Sequence, residues 1–264
     1  MEGIKKYYKH MIHMRYFIAH LVTIGLKNQF RRSKLGILWT FISPLCLTAI
    51  MGVVFSVAFH YELKDYLPYV LSGILFWDLF TKSFVAGSST IMGFDSFIRQ
   101  CNHPITLYTL SNSLLFTSSF LIAMIALVIM TIFTSPVYIV IGLASLPLTI
   151  LIYAIFSWSG TTISSFIGVQ FRDFPMAATL MLQVMWYLSP VFLQEDLFMK
   201  NPILYTWFTI NPITHMLNLI RKPFLHGCFP SIVDYTFSIC FVAVMAVIAF
   251  WVNKKKEKNA IFYL

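Results

Sequence analysis

Residues 105–170 read ITLYTLSNSLLFTSSFLIAMIALVIMTIFTSPVYIVIGLASLPLTILIYAIFSWSGTTISSFIGVQ, without one Asp, Glu, Lys or Arg. The charge-free interval runs from Gln100 to Phe171. A bilayer-crossing helix needs about 20 apolar residues, so this interval holds two. Thr134-Ser135-Pro136 between them leaves room only for a tight helical hairpin. A soluble domain carries roughly a quarter charged residues. This chain has 11% charged and 58% hydrophobic residues, too few charges to cover a water-facing surface. The fold class is therefore an all-α integral membrane protein.

Working outward, the same length rule places six spans at about 36–60, 67–92, 107–133, 137–169, 176–194 and 232–252. The chain reads as one transmembrane domain over 1–264. Lys and Arg then divide by side. Residues 1–34 hold eight, the loops near Arg99 and Arg172 one each, and the tail from Lys254 to Lys258 four. Lys64, Lys200, Arg221 and Lys222 lie opposite, and Lys82 falls inside a span. The positive-inside rule puts both termini in the cytoplasm, which requires an even number of crossings. The net charge of +9 is thus explained by membrane orientation, and no nucleic-acid partner is expected.

The segment 197–225 carries two short apolar stretches, Ile203–Ile210 and Ile213–Ile220, broken at Asn211-Pro212. Neither is long enough to cross. Taken together as one kinked helix they could cross, which would leave the lysine-rich tail outside. The preferred expectation is a pair of short re-entrant helices dipping into the outer leaflet, where non-helical backbone must be covered by protein or water. Near the N-terminus, Met14, Phe17, Ile18, Leu21 and Val22 share one helical arc, and His20, Thr23, Lys27 and Arg31 another. That stripe predicts an interfacial helix over 12–33 whose cations Lys27, Arg31, Arg32 and Lys34 face lipid headgroups. It is either a plain anchor or a lever pushed by a cytoplasmic partner. The basic N-terminus lacks a small-residue cleavage site, so no removable signal is expected.

Candidate chemistry is sparse. The cysteines Cys46, Cys101, Cys228 and Cys240 form no CxxC pair, and only Cys228 falls in a predicted extracytoplasmic segment, so neither a disulfide nor a metal site is expected. His10 and His13, and His215 and His226, have no carboxylate at ligand spacing. No GxxxxGK[ST] occurs, so the chain has no P-loop, and no paired acids or His cluster marks an enzyme. Asp78 and Lys82 share a helix face inside the second span and are expected to neutralise each other within the bundle. Gly160, Ser164 and Gly168 recur every four residues on the fourth span, a spacing that permits close helix approach.

The order Phe30-Arg31-Arg32-Ser33-Lys34-Leu35-Gly36-Ile37-Leu38-Trp39, followed by a span with Pro44, resembles the start of the ABC type-2 permeases, in their polysaccharide-export branch (O-antigen, capsule and teichoic acid exporters). Three further stretches agree. Ser96-Phe97-Ile98-Arg99 with Pro104-Ile105 is similar to the first cytoplasmic loop, although His103 replaces the usual aromatic. Phe171-Arg172-Asp173-Phe174-Pro175 resembles the second. Asn211-Pro212-Ile213-Thr214-His215 with Arg221-Lys222-Pro223 resembles the segment before the last span.

The resemblance implies a non-catalytic permease in the bacterial cytoplasmic (inner) membrane. Its partners would be a second copy of itself, two copies of an ABC ATPase that binds ATP and Mg²⁺, membrane lipids, and a lipid-linked polysaccharide, O-antigen first among them. It implies ATPase contact through Arg99, Arg172 and Asp173. It also implies conduit aromatics Trp39, Phe41, Phe55, Phe59, Trp186 and Tyr187, and an outer gate around Tyr205, Trp207, Asn211 and Arg221. The chain itself would hold no cofactor. Alternatives are an ABC exporter of a lipid or small molecule, and a secondary transporter or channel, although the internal repeats of the last are not seen.

Overall fold

The computed structural model describes residues 14–31, 33–100, 103–199 and 201–260, and all regular structure among them is helical. Arg32 and the first two residues of the 12–33 interfacial segment lie outside the described residues. In chain order the helices are α1 (Arg15–Gln29), α2 (Trp39–Phe59), α3 (Leu63–Thr81), α4 (Thr90–Gly93), α5 (Asp95–Gln100), α6 (Ile105–Thr134), α7 (Ile139–Gln170), α8 (Phe174–Leu188), α9 (Glu195–Met199), α10 (Pro202–Ile210), α11 (Pro212–Leu225) and α12 (Ile232–Ala260).

Among the described residues five helical stretches are long and apolar enough to cross a membrane: Gly36–Phe59, Leu63–Ala86, Ile105–Thr134, Pro136–Gln170 and Ile232–Glu257. The charge-free interval forms the α6–α7 hairpin, turning at Ser135 with a short 3₁₀ turn at Pro136–Tyr138. A sixth apolar helix, α8, has only 15 residues. At 1.5 Å per residue it is about 22 Å long, short of the roughly 30 Å hydrocarbon layer. The sequence places that element at 176–194; the helix instead stops at Leu188. The cause is local. Ser189 precedes Pro190, and the residue before proline is driven into extended backbone; Ser189 sits at φ −111°, ψ 151°.

The same chemistry shapes the stretch that follows. Asn201-Pro202-Ile203 and Asn211-Pro212-Ile213 are the same tripeptide twice. Each Asn is extended and accepts a hydrogen bond from the Ile amide two residues on, at 2.9 and 3.0 Å, and each Pro opens a helix. This is an Asn N-cap with proline at the first helical position. The break at Asn211-Pro212 thus divides two short helices, α10 and α11.

α7 lies at the centre, packed by α6, α11 and α12. α3 leaves regular α geometry in a π-turn at Lys82–Ala86, which rests on α7. There the Gly160, Ser164, Gly168 stripe meets it. A Cβ on Gly168 would lie 2.3 Å from the Ser88 carbonyl oxygen, Ser164 Oγ donates to the Ser83 carbonyl at 3.1 Å, and Ser83 Oγ donates to Ser157 Oγ at 2.9 Å. Lipid gives no hydrophobic drive between helices, so close contact and hydroxyl bonds of this kind carry the association.

At one end of the bundle, Phe17, Ile18 and Leu21 of α1 pack on a buried cluster of Ile91, Ile98, Ile105, Tyr108, Phe166 and Val169, joined by Val252 of α12. The apolar arc of α1 is therefore turned onto protein, while Lys27 and Arg31 on α1 and just beyond it are exposed. Glu257 near the end of α12 caps this same end of α6, accepting from the Ile105 amide at 2.9 Å. The N-terminal helix and the last turns of α12 thus share one end of the bundle. α9, α10, α11 and the start of α12 gather at the other.

Candidate functional site

Where α8 stops, residues 189–193 run without a helix across the face of α3, and every backbone carbonyl from Leu188 to Leu193 has a donor. The Leu188 carbonyl accepts from the Trp207 indole at 2.8 Å. That of Ser189 accepts from the Val191 amide at 2.7 Å. Pro190 and Val191 both accept from the Arg221 guanidinium, the latter at 2.6 Å. Phe192 accepts from the Tyr66 hydroxyl at 2.7 Å, and Leu193 from the Tyr69 hydroxyl at 2.8 Å. Buried carbonyls without partners are costly, and irregular backbone survives at membrane depth only when satisfied in this way.

Arg221 is the keystone. Its side chain is buried, with 3% of the residue exposed, and the described residues offer it no carboxylate. Instead Nε donates to Ser72 Oγ at 3.2 Å, Nη1 to Pro190, and Nη2 to Val191 and to the Tyr69 carbonyl at 3.3 Å. The guanidinium also lies 3.6 Å above the Tyr69 ring, a short cation–π contact. Gly73 makes the approach possible, since a Cβ there would fall 2.2 Å from the Val191 oxygen. Tyr66, Tyr69, Ser72 and Gly73 form one stripe on α3 at helical spacing.

The residues expected at an outer gate are thereby located. Asn211 is buried, bonds Ser189 Oγ at 3.1 Å and caps α11. Trp207 is half-exposed and holds the end of α8, and Tyr205 is exposed. Arg221, expected in the same outer-gate group, is buried and acts as an interior clamp. Its N–H donors need buried acceptors; Pro190 and Val191 supply two carbonyls, and Ser72 and Tyr69 of α3 supply the rest.

A polar cluster locks α11 to α12. Ser231 and Asp234 form a capping box: the Asp234 amide donates to Ser231 Oγ at 3.2 Å, and the Ser231 amide to Asp234 Oδ2 at 3.0 Å. Asp234 also accepts from Lys222 at 2.5 Å, Asn218 at 3.2 Å and His215 Nδ1 at 3.0 Å. His215 Nε2 lies 2.9 Å from the Thr209 carbonyl. Both ring nitrogens face acceptors, so the doubly protonated imidazolium satisfies both. The hydrogen bond to Asp234 raises the His215 pKa, against the opposing effect of burial. Sequence reasoning found no carboxylate for His215; the sign was the Ser231-x-x-Asp234 box, 16 to 19 residues downstream.

On the flank of the bundle, a groove of about 370 Å³ opens between the C-terminal end of α1, α2, α3 and α8. Trp39 and Trp186, two of the expected conduit aromatics, line it together with Ser43, Asp78, Thr81 and Lys82. Phe41, Phe55, Phe59 and Tyr187 do not line it. Phe55 stacks on Phe59 and meets Phe192 at 4.9 Å, which in turn meets Trp186 and Tyr187. These rings form a packed ladder between α2 and α8 within one chain.

Lys82 and Asp78 are bonded at 2.6 Å, but they do not lie in the bundle interior. From Val70 to Phe80 every residue is buried except Asp78, whose side chain is 47% exposed. The pair faces the groove because α3 needs all its other faces for packing on α2, α6 and α11. At the α1 end, Arg99 is exposed and paired with Asp95 at 2.6 Å, and Arg172 and Asp173 are exposed in the turn between α7 and α8. Lys34 is exposed before α2. Among the described residues no group of His, Cys, Asp and Glu could hold a metal ion.

The profile of the ABC-2 type transporters matches residues 16–225. The chain is 23% identical over 261 residues to the O-antigen export system permease protein RfbA of Klebsiella pneumoniae, covering 94% of this chain and 98% of that protein. A second Klebsiella pneumoniae protein of the same name is 23% identical over 223 residues, 81% of this chain and 85% of its own. One from Myxococcus xanthus is 21% identical over 247 residues, 90% of this chain and 89% of its own.

Proposed function

The chain belongs to the ABC-2 type transporter family, and on that footing we propose that it is the membrane subunit of an ATP-driven exporter that moves a lipid-linked polysaccharide across the bacterial cytoplasmic membrane. Three relatives matched over most of their length are named as O-antigen export permeases, which supports a polymer over a small solute. The observation that carries the reading is the tryptophan-walled, hydroxyl- and charge-bearing groove on the flank of membrane-crossing helices. A polyhydroxylated chain cannot partition into hydrocarbon and needs such a protein-lined path.

Two copies of this chain would enclose the conduit between their α2 and α8 faces, both of which expose large apolar side chains. The chain crosses six times, with α8 and the pinned run 189–193 together making the short fifth crossing. Both ends lie in the cytoplasm, and α9 to α11 dip into the outer leaflet. No P-loop occurs in the sequence, so hydrolysis belongs to a separate ABC ATPase present in two copies, which binds the ATP and Mg²⁺. Arg99, Arg172 and Asp173 at the α1 end face that partner. Because Phe17, Ile18 and Leu21 are packed into the cluster that also holds Ile98 of α5, a push on this end moves α1 with the bundle. That packing favours the lever over the plain anchor.

The test is deletion with complementation, together with affinity purification of the full-length chain. The expected result is loss and recovery of surface polysaccharide, and co-purification of an ATPase with a P-loop. Intact surface polysaccharide in the deletion strain would overturn the reading.

A further inference from the structure

We propose that Asp78 and Lys82 form a sugar-binding subsite in the groove, gripping neighbouring hydroxyls of a neutral polyol as it passes. The inference rests on the export reading above and adds the group that the groove recognises. Stability does not account for the pair. An exposed i,i+4 pair contributes little in water, charges at membrane depth are costly, and well-packed apolar residues commonly replace such a pair without loss. Yet α3 presents its one exposed residue between Val70 and Phe80 as an acid, bonded to the lysine that opens the π-turn. A π-turn shifts helical register locally and is frequent at functional sites.

The chemistry selects the ligand. Among the described residues Lys82 is the only cation lining the groove and Asp78 the only acid, so the two are neutral as a pair. A phosphate or pyrophosphate would find one committed ammonium and a repelling carboxylate beside it. A sugar carries adjacent hydroxyls, each both donor and acceptor. One hydroxyl donates to Asp78 while its neighbour accepts from Lys82, and the hydroxyls of Ser43 and Thr81 offer further partners. The indoles of Trp39 and Trp186 supply flat apolar faces for the C–H side of a sugar ring. Trp39 is held in place by its Nε1–H donating to Ser33 Oγ at 3.1 Å, and Trp186 by an edge contact with Trp77 at 5.2 Å.

The experiment replaces the pair with leucines, D78L/K82L, in a deletion strain and measures surface polysaccharide alongside the amount of variant in the membrane. With the variant present at the wild-type amount, surface polysaccharide is expected to fall at least about tenfold, the loss of a charge-assisted hydrogen bond to each passing unit. Wild-type export by that variant overturns the proposal while leaving the export reading intact. A deletion strain with unchanged surface polysaccharide overturns the export reading itself. If the variant does not accumulate, the decision passes to the wild-type chain purified with its ATPase. Tryptophan emission is then followed during titration with oligosaccharide released from the same cells' surface polymer by mild acid, and separately with inorganic pyrophosphate. A response to the oligosaccharide alone, absent in Trp39→Phe, supports the subsite. Any other result overturns it.

Discussion

Replacing Arg221 with methionine keeps an unbranched apolar stem and removes the guanidinium fork. Val191 and Pro190 then lose their guanidinium donor, and only Pro190 keeps a second one, the Tyr69 hydroxyl at 3.3 Å. A buried acceptor left unpaired costs about 1–3 kcal/mol. Ser72 Oγ and the Tyr69 carbonyl lose a donor as well, and the cation–π contact disappears. Against this, removing a buried guanidinium that lacks a carboxylate relieves some desolvation. The net expectation is a loss of about 2–4 kcal/mol, or about 5–15 °C in the melting temperature of the detergent-purified protein. Amide exchange in residues 189–194 should accelerate in the same variant. Arg221→Lys should fall between, because one ammonium cannot serve acceptors on both sides of the fork. A methionine variant within about 0.5 kcal/mol of wild type, with unchanged exchange, would refute the clamp.

Gly73→Ala should destabilise by about 1–3 kcal/mol in the same melting assay, since its Cβ would meet the Val191 oxygen at 2.2 Å and Arg221 Nη2 at 2.8 Å. Gly93→Ala, where the new carbon would meet no atom within 4 Å beyond its chain neighbours and its own helix backbone, should leave the melting temperature unchanged. For His215 the folded pKa is raised from the ordinary 6.5 by its bond to Asp234. Its stabilisation is therefore complete below that ordinary value and is lost as pH rises through the folded one. The melting temperature should decline over that window in wild type and lose this component in His215→Asn. Ser231→Ala should cost about 1 kcal/mol by opening the capping box at the start of α12.

What the sequence revealed follows the range of each interaction. The α6–α7 hairpin was legible because seventy residues without a charge leave few alternatives. The split at Asn211-Pro212 was legible because a pre-proline residue resists helix. The same rule at Ser189-Pro190 was overridden by an apolar composition that continues to Leu193, and the fifth element came out too long. The burial of Arg221 was not legible because nothing local shows its acceptors; Ser72 lies 149 residues away. The Tyr66, Tyr69, Ser72, Gly73 stripe was readable as a polar seam on an apolar helix, yet its partner is set only by the fold. The Asp78–Lys82 spacing gave the pair, but its orientation depended on which faces of α3 the bundle consumes. The α1 arc shows the same limit, since an apolar stripe suits lipid and protein equally.

The crossing count tests the central claim most directly, because α8 is too short to cross alone and the proposed count of six needs the pinned run as well. Intact cells are treated with a membrane-impermeant thiol reagent, using exposed Cys228 between α11 and α12 and, in a separate variant lacking it, a cysteine placed at Lys255. Six crossings predict that Cys228 is labelled and the Lys255→Cys site is protected until the membrane is broken. Labelling of the Lys255→Cys site in intact cells would contradict it.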